Sequence, residues 1–352
     1  MDCAASSEHG GLDYRELKRL GISPAELLDF SVNSNPFGPS PRVLAAIRAV
    51  DIARYPDRDC LELRGRLAQA NWVTEQEILV GNGTAELIFL ITQAFLNFDD
   101  TVLIFGPTFG EYSRAARAAG ARVREVRAMP PAFKPPVPQI LEAIRRMQPK
   151  LVFLCNPNNP TGQTLSRVEI ASILNACGSD TLLILDEAYR AFLSGDFFDR
   201  PAGENCIVLR SMTKDFALAG VRLGYVLASP DCIEALKRIQ PTWSVNALAQ
   251  AAGVAVLADL AYYRWSLAEL AKLRSEFFQQ IKRRGYALLD SQTHYAIINL
   301  QQSAPAFRER LLHGSILVRD CTSFGLPQYI RVSTRLQAEN QKFLDQLDGL
   351  KR

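Results

Sequence analysis

The stretch "EILVGNGTAELIFLITQAFL", residues 77–96, joins a short apolar run to a longer amphipathic one through two glycines. The run EILV predicts a buried strand. After the glycines, four apolar residues recur at helical spacing: Leu87, Ile88, Ile91 and Phe95. A strand followed closely by a helix is typical of βαβ units, in which successive strands lie parallel. The stretch therefore predicts an α/β fold.

The same alternation continues along the chain and sets the expected domains. The apolar runs TVLIF, LVFLC, TLLIL, CIVLR and RLGYVLAS are separated in several places by helix-length segments, so we expect a mainly parallel sheet. The proline-dense stretch 129–138 predicts an extended surface crossing. Towards the C-terminus the pattern becomes helical and then strand-like in YAIINL, ILVRD and YIRVS. We expect an N-terminal arm (1–38), a large domain (39–240) and a smaller α+β domain (241–352).

Composition narrows the class of protein. The 352 residues include 40 Lys and Arg against 37 Asp and Glu, a formal charge of +3, so charge alone indicates neither a nucleic-acid nor a membrane partner. The sequence has no long apolar run and its N-terminus lacks the features of a signal peptide, which predicts a cytoplasmic protein. Seven scattered cysteines without a C-x-x-C pair, and three distant histidines, predict no metal site.

Five polar segments each follow an apolar run: GNGTAE, GPTFGEY, NPNNPTG, DEAY and SMTK. In open parallel sheets, ligands bind outside the carboxyl ends of the strands. We therefore expect these five segments to meet at one site.

Two of these segments have both a functional and a purely structural interpretation. GNGTAE could hold a phosphate at the start of a helix, although Glu86 stands where a dinucleotide fingerprint has its third glycine. The alternative is a glycine turn that begins a helix. In NPNNPTG the Asn-Pro steps favour extended backbone and would present an asparagine amide, and the alternative is a rigid turn.

Two further segments, DEAY and SMTK, suggest a cofactor. Asp186 closes an apolar strand, where a carboxylate needs a buried cation unless it caps a helix. Lys214 could be a solvated loop residue, but Ser211, Thr213 and Arg222 nearby suit a phosphate dianion. Lysine, buried carboxylate and phosphate site together suit pyridoxal 5′-phosphate, which needs an amine for its Schiff base and a carboxylate at its ring nitrogen.

The order of these motifs resembles the fold-type I pyridoxal-phosphate enzymes of the aspartate aminotransferase superfamily over nearly the whole chain. Within it, HGG (9–11), LGISPAELLDFSVNSNPFGP, RYPD, WSVNALA, ILVRDC and YIRVSTR are similar to the threonine-phosphate decarboxylases of cobalamin biosynthesis. The histidinol-phosphate aminotransferases share the cofactor motifs.

The resemblance implies a role for each cofactor residue. Lys214 would form the Schiff base, Asp186 would pair with the ring nitrogen, and Phe109 would stack on the ring. Asn159, joined by Tyr189, would contact the phenolic oxygen. The phosphate would be held by five residues: Gly83, Thr84, Ser211, Thr213 and Arg222. Tyr55 would reach the phosphate of the partner subunit, which implies a homodimer.

The resemblance also implies a substrate site. Arg331 would bind the α-carboxylate, with Asn33 nearby, and the substrate phosphate would contact Arg319, Arg335 and His9, the last from either subunit. His9 could equally belong to a disordered tail.

The activity expected from this resemblance is decarboxylation of L-threonine O-3-phosphate to (R)-1-aminopropan-2-yl phosphate. Two features depart from the decarboxylase pattern, namely Leu12 after HGG and Tyr189, which is more typical of aminotransferases. The alternatives are decarboxylation of L-serine O-phosphate, a transamination such as that of histidinol phosphate, and a non-catalytic protein that binds the cofactor.

Overall fold

The structure, a computed structural model, describes residues 10–194 and 203–350. Its strands are β1 (Leu28–Asp29), β2 (Ile78–Gly81), β3 (Thr101–Gly106), β4 (Arg122–Arg127), β5 (Leu151–Cys155), β6 (Leu182–Asp186), β7 (Cys206–Ser211), β8 (Gly224–Leu227), β9 (Ala287–Leu288), β10 (Tyr295–Asn299), β11 (Ile316–Leu317), β12 (Arg319–Asp320) and β13 (Tyr329–Ser333).

The helices are α1 (Tyr14–Leu20), α2 (Pro41–Arg48), α3 (Leu61–Asn71), α4 (Gly83–Phe95), α5 (Glu111–Ala118), α6 (Val137–Met147), α7 (Arg167–Cys177), α8 (Ala191–Ser194), α9 (Pro230–Ile239), α10 (Ala247–Leu257), α11 (Leu260–Arg283), α12 (Ala304–His313) and α13 (Gln337–Gly349). Local sequence explains where several of them begin. Ser166 caps α7 and forms a capping box with Glu169, while Ser229 caps α9 directly before a proline at its first position.

Seven strands form the large sheet, in the order β2-β8-β7-β6-β5-β3-β4. The pairs β3–β4, β3–β5, β5–β6 and β6–β7 are parallel, and β8 runs antiparallel to both of its neighbours. The predicted mainly parallel sheet is confirmed.

Apolar cores cover both faces of this sheet. Within β5, Val152 and Leu154 face the core that includes α2, α3, α6, α7 and α10, whereas Phe153 faces the core that includes α4, α5 and α9. Strands buried on both faces need apolar residues at successive positions, which is why these strands read as continuous apolar runs. Along α4, Leu87, Ile88 and Ile91 are buried as the helical spacing predicts.

A second, antiparallel sheet has the order β12-β13-β10-β9 and packs against α11, α12 and α13. The run ILVRD was expected to form one strand, but it is divided between two short strands. Ile316 and Leu317 pair with β1, whereas Arg319 and Asp320 pair with β13. The chain changes partners at Val318, so one apolar run contributes to two sheets.

The strands of the large sheet come from residues 78–227 and those of the small sheet from residues 287–333. Helix α10 contacts α2 and α3 and lies in the core of the large sheet. The domain limits given above stay predictions. In the described part of the chain, no helix is both long and apolar enough to cross a membrane.

Candidate active site

A cavity of about 1110 Å³ lies at the carboxyl ends of the parallel strands. It is lined by residues from all five polar segments, which include Thr84, Phe109, Asn159, Asp186 and Lys214. As expected, the five segments lie together around one cavity. The described residues contain no group of three or more His, Cys, Asp or Glu side chains that could hold a metal ion.

Lys214 lies three residues after the end of β7, and it lines the cavity. Burial, together with the positive charges of Arg331 and Arg222, lowers the pKa of its ammonium group to about 8. Near that pH a sizeable fraction of Lys214 carries a neutral amine. A neutral amine is the form that attacks a carbonyl carbon.

Asp186, the last residue of β6, is buried at the bottom of the same cavity. Its Oδ2 accepts a hydrogen bond from the Tyr112 hydroxyl at 2.7 Å, and its Oδ1 accepts one from Ala188 N at 2.9 Å. Because α8 begins only at residue 191, this carboxylate closes a turn and does not cap that helix. Burial raises the pKa of Asp186, so its ionised form would be stabilised by a cationic ligand nitrogen.

Four of the residues predicted to hold the phosphate line the cavity and are called the phosphate cradle below: Thr84, Ser211, Thr213 and Arg222. The hydroxyls of Ser211 and Thr213 lie 2.7 Å apart, and Arg222 donates to Ala219 O at 3.1 Å. Gly83, the first residue of α4, has φ +77°, and a Cβ there would lie 2.7 Å from a guanidinium nitrogen of Arg222. Glycine is therefore needed at this position both for its backbone conformation and for its size.

Asn159, Tyr189 and Asn33 also line the cavity. The Tyr189 hydroxyl accepts a hydrogen bond from Asn33 Nδ2 at 3.3 Å, and burial raises the pKa of this tyrosine to about 12. The amide oxygen of Asn159 accepts a hydrogen bond from Arg331. The predicted contacts of Asn159 and Tyr189 with a cofactor oxygen stay predictions.

Arg331 and Arg319 also line the cavity, and both are buried. They stand directly opposite each other on β13 and β12, so their side chains leave the same face of the small sheet. Arg331 also donates to the backbone carbonyl of Ser31, and Arg319 donates to Ser323 Oγ at 2.6 Å. Two adjacent guanidinium groups favour anionic ligands.

Of the predicted site residues that the structure describes, Gly83, Tyr55 and Arg335 are not among those that line the cavity. Arg335 donates to Glu339 at 2.9 Å and to the carbonyl of Asp29 at 3.0 Å, so the structure does not place it with the substrate residues. Tyr55 is 79% exposed and stacks on Trp243, with ring centroids 4.6 Å apart. This position is compatible with a contact to a partner subunit, which stays a prediction. His9 lies outside the described residues.

Sequence reasoning missed Tyr112, the hydrogen-bond donor to Asp186. This residue is fully buried, and its ring packs edge-on against Phe109 and stacks on Phe153. The available signal was its position in the segment GPTFGEY, which follows an apolar run, three residues after Phe109.

The cavity residues fit pyridoxal 5′-phosphate. Among the described residues, Lys214, Arg222 and Arg331 have no carboxylate partner within ion-pair distance, which suits anionic ligands at both ends of the cavity. Asp186 lies in the same cavity and would provide the negative charge expected at a cationic ring nitrogen. Phe109 also lines the cavity, and its aromatic ring could pack against the face of the cofactor.

Comparison with known proteins agrees with this geometry. The family model for aminotransferase class I and II matches residues 25–347, and the chain belongs to this family. A histidinol-phosphate aminotransferase from Symbiobacterium thermophilum is 34% identical over 336 residues, which cover 94% of this chain and 91% of that protein. Another from Moorella thermoacetica is 30% identical over 95% of this chain and 88% of that protein.

Solved structures show the same fold. A histidinol-phosphate aminotransferase from Sinorhizobium meliloti, in complex with pyridoxal-5′-phosphate, superposes with a TM-score of 0.88 at 26% identity and covers 97% of this chain and 95% of its own. An L-threonine-O-3-phosphate decarboxylase from Porphyromonas gingivalis gives a TM-score of 0.81 at 28% identity, with coverages of 92% and 99%. The predicted fold-type I architecture and the predicted cofactor are thereby confirmed at the level of the family.

Proposed function

We propose that this enzyme decarboxylates L-threonine O-3-phosphate to (R)-1-aminopropan-2-yl phosphate. The observation that carries the proposal is the pair Arg319 and Arg331, opposite each other in register and facing one cavity with Lys214. A small substrate with a carboxylate at one end and a phosphate at the other places two anions a few bonds apart. Two neighbouring guanidinium groups can bind both anions together.

The pairing of the cavity's carboxyl groups favours a substrate that has no basic ring in addition to its amino group. Glu111 pairs with Arg114 at 3.3 Å, Glu125 pairs with Arg127 at 2.9 Å, and Asp186 lies at the cofactor end. An imidazole such as that of histidinol phosphate would need a polar partner once it is buried. The described carboxylates of the cavity are already engaged, whereas the two arginines suit a compact dianionic substrate.

When bound, pyridoxal phosphate supplies an electron sink that stabilises negative charge on the amino carbon of the substrate. The residues of this chain select which bond is broken. Arg331 would hold the carboxylate and Arg319 would hold the phosphate, which together would fix the orientation of the bond from the amino carbon to the carboxylate. Lys214, with its lowered pKa, can then deliver a proton from Nζ to that carbon.

The test is product analysis with the purified enzyme, pyridoxal phosphate and L-threonine O-3-phosphate. We expect stoichiometric carbon dioxide and aminopropanol phosphate, and loss of both in Lys214→Ala. Serine phosphate lacks one methyl group and should react more slowly by a factor of about 10 to 200. Absence of carbon dioxide with either phosphorylated amino acid would refute the proposal.

The second candidate is a transamination such as that of histidinol phosphate. It is favoured by Tyr189, which is typical of aminotransferases and lines the cavity, and by the names of the relatives described above. Incubation with histidinol phosphate and 2-oxoglutarate, followed by quantification of glutamate, tests it directly. Glutamate formation without carbon dioxide release from threonine phosphate would establish this candidate instead.

We also propose that the enzyme is a homodimer in which Tyr55 completes the phosphate cradle of the partner subunit. The exposure of Tyr55 and Trp243 supports this arrangement. Mixing Lys214→Ala with Tyr55→Phe should create mixed dimers with one intact site, which restore about a quarter of wild-type activity. No recovery in a mixture that is shown to contain mixed dimers would refute the role of Tyr55.

A further inference from the structure

We infer that Asn35 is a positioning residue for Lys214, and the inference rests on Lys214 being the amine that bears the cofactor. Asn35 is only 3% exposed. Its backbone N donates to Lys214 O at 2.8 Å, and its Nδ2 donates to Asp215 O at 3.0 Å. Asn35 therefore binds two consecutive carbonyl groups, that of the lysine through its backbone and that of the next residue through its side chain.

The other hydrogen bonds of Asn35 hold its own amide in place. Nδ2 also donates to Ser266 Oγ on α11 at 2.8 Å, and Oδ1 accepts from Phe37 N at 3.1 Å. Both amide atoms are thus engaged. A buried amide with satisfied hydrogen bonds has a defined orientation.

Lys214 depends on such backbone contacts because its ammonium group makes no hydrogen bond to any described residue. Its side chain is half-buried and has four rotatable bonds, so the place of Nζ depends on the backbone from which it extends. The lysine lies between β7 and a residue with positive φ, Ala217 at +55°. This loop has no strand partner at the lysine itself, and Asn35 supplies the missing constraint.

The same stretch of chain also contacts the substrate end of the cavity. Residues 28–37, called the linking segment here, bring Ser31 O to the guanidinium of Arg331 and Asn33 Oδ1 to Ser333 Oγ at 2.6 Å. Four residues after Ser31, Asn35 reaches the lysine loop. The linking segment therefore fixes the distance between the anion-binding arginine on the small sheet and the lysine on the large sheet.

The test compares two forms of the cofactor in the full-length enzyme. Pyridoxal phosphate has an aldehyde that can condense with the Lys214 amine with loss of one water, whereas pyridoxamine phosphate has no aldehyde and cannot. In Asn35→Ala we expect the dissociation constant for pyridoxal phosphate to rise on the order of tenfold and that for pyridoxamine phosphate to stay within about twofold. In assays, kcat should fall more than KM rises.

Two variants serve as controls. Asn71 is also a fully buried asparagine, with Nδ2 bonded to Leu67 O at 2.8 Å, and it lies outside the cavity. Asn71→Ala should lower thermal stability and leave both dissociation constants unchanged. Ser266→Ala removes only the second acceptor of Asn35 Nδ2 and should leave both constants within about twofold.

The outcomes distinguish a specific effect on the position of the Lys214 amine from a general loss of cofactor affinity. Equal weakening of both cofactors in Asn35→Ala, or no change in either, would overturn the inference. If Asn35→Ala fails to fold, Asn35→Asp keeps the acceptor for Phe37 N and the backbone bond to Lys214, and the same selective loss is expected. Lys214→Ala should abolish any preference for pyridoxal phosphate. A preference that persists there would overturn the cofactor role of Lys214 itself, a failure distinct from that of Asn35.

Discussion

Replacement of Tyr112 by phenylalanine tests how a buried carboxylate stays ionised at the base of the active site. The change removes the hydroxyl that donates to Asp186 Oδ2 at 2.7 Å. The ring itself is held by Phe153, stacked at 4.9 Å, and by Phe109, edge-on at 5.6 Å. Phenylalanine keeps these contacts, so the variant removes one hydrogen bond and little packing.

The size of the effect follows from the burial of both partners. Tyr112 is fully buried and Asp186 is 4% exposed, so water cannot replace the lost donor. A hydrogen bond to an ionised group contributes about 1.5 to 3 kcal/mol. Its loss disfavours the carboxylate relative to the carboxylic acid by about tenfold to a hundredfold. Because burial already raises the pKa of Asp186, the loss of this donor raises it further.

The assay is the dissociation constant of pyridoxal phosphate for Tyr112→Phe and for wild type, measured from about pH 6 to pH 9. A protonated Asp186 cannot pair with a cationic ring nitrogen, so the ratio of the two constants should be largest at low pH and fall towards one at high pH. Tyr225→Phe removes a buried hydroxyl that bonds Asn71 outside the cavity, and its ratio should stay near one. A ratio for Tyr112→Phe that does not change with pH would refute the reasoning.

Three further variants test the cavity and its surroundings. Arg331→Lys keeps the positive charge but loses the two parallel hydrogen bonds that a guanidinium group can donate to a carboxylate, so KM for the substrate should rise at least about tenfold. The control Arg335→Lys, outside the cavity, should change KM less than about twofold. Gly83→Ala puts a Cβ 2.7 Å from the cradle guanidinium and should weaken pyridoxal-phosphate binding about tenfold, whereas Gly285→Ala has the same φ of +77° with open space around it and should lower only stability. Burial raises the pKa of Asp215 to about 7 from 3.8, so the stability it contributes is complete below about pH 4 and is lost as the pH rises through 7. Asp215→Asn should remove up to about 4 kcal/mol of this pH dependence in denaturant titrations, and curves of equal pH dependence would contradict the assignment.

Residues that act at the ends of strands could be predicted from the sequence because two signals coincide there. The apolar run before Asp186 marks a buried strand, and a charged residue directly after such a run needs a partner or a ligand. The same reasoning applies to Lys214 after CIVLR. Since the carboxyl ends of parallel strands share one edge of a sheet, placing these residues together required only the order of the strands.

Contacts that depend on distant parts of the chain could not be predicted. Tyr112 and Asp186 are 74 residues apart, and nothing in the local pattern of α5 indicates which buried acceptor the hydroxyl reaches. Arg335 carries the same chemistry as Arg331 four residues earlier, but its position before α13 gives it Glu339 as a partner. The run around Val318 is uniformly apolar, so its change of partner between β1 and β13 has no local signal.

The linking segment has a consequence for how this enzyme can tolerate changes in chain length. Between Ser31 and Asn35 it makes contacts at alternate residues, with Arg331, with Tyr189 and Ser333, and with the lysine loop. An insertion or deletion of one residue within 31–35 would shift every later contact by one position and present Ser34 or Pro36 where an asparagine is needed. Loops elsewhere can lengthen at small entropic cost. In the linking segment, by contrast, the number of residues between Ser31 and Asn35 sets the spacing between the Arg331 contact and the lysine-loop contact, so that number cannot change without loss of one of them.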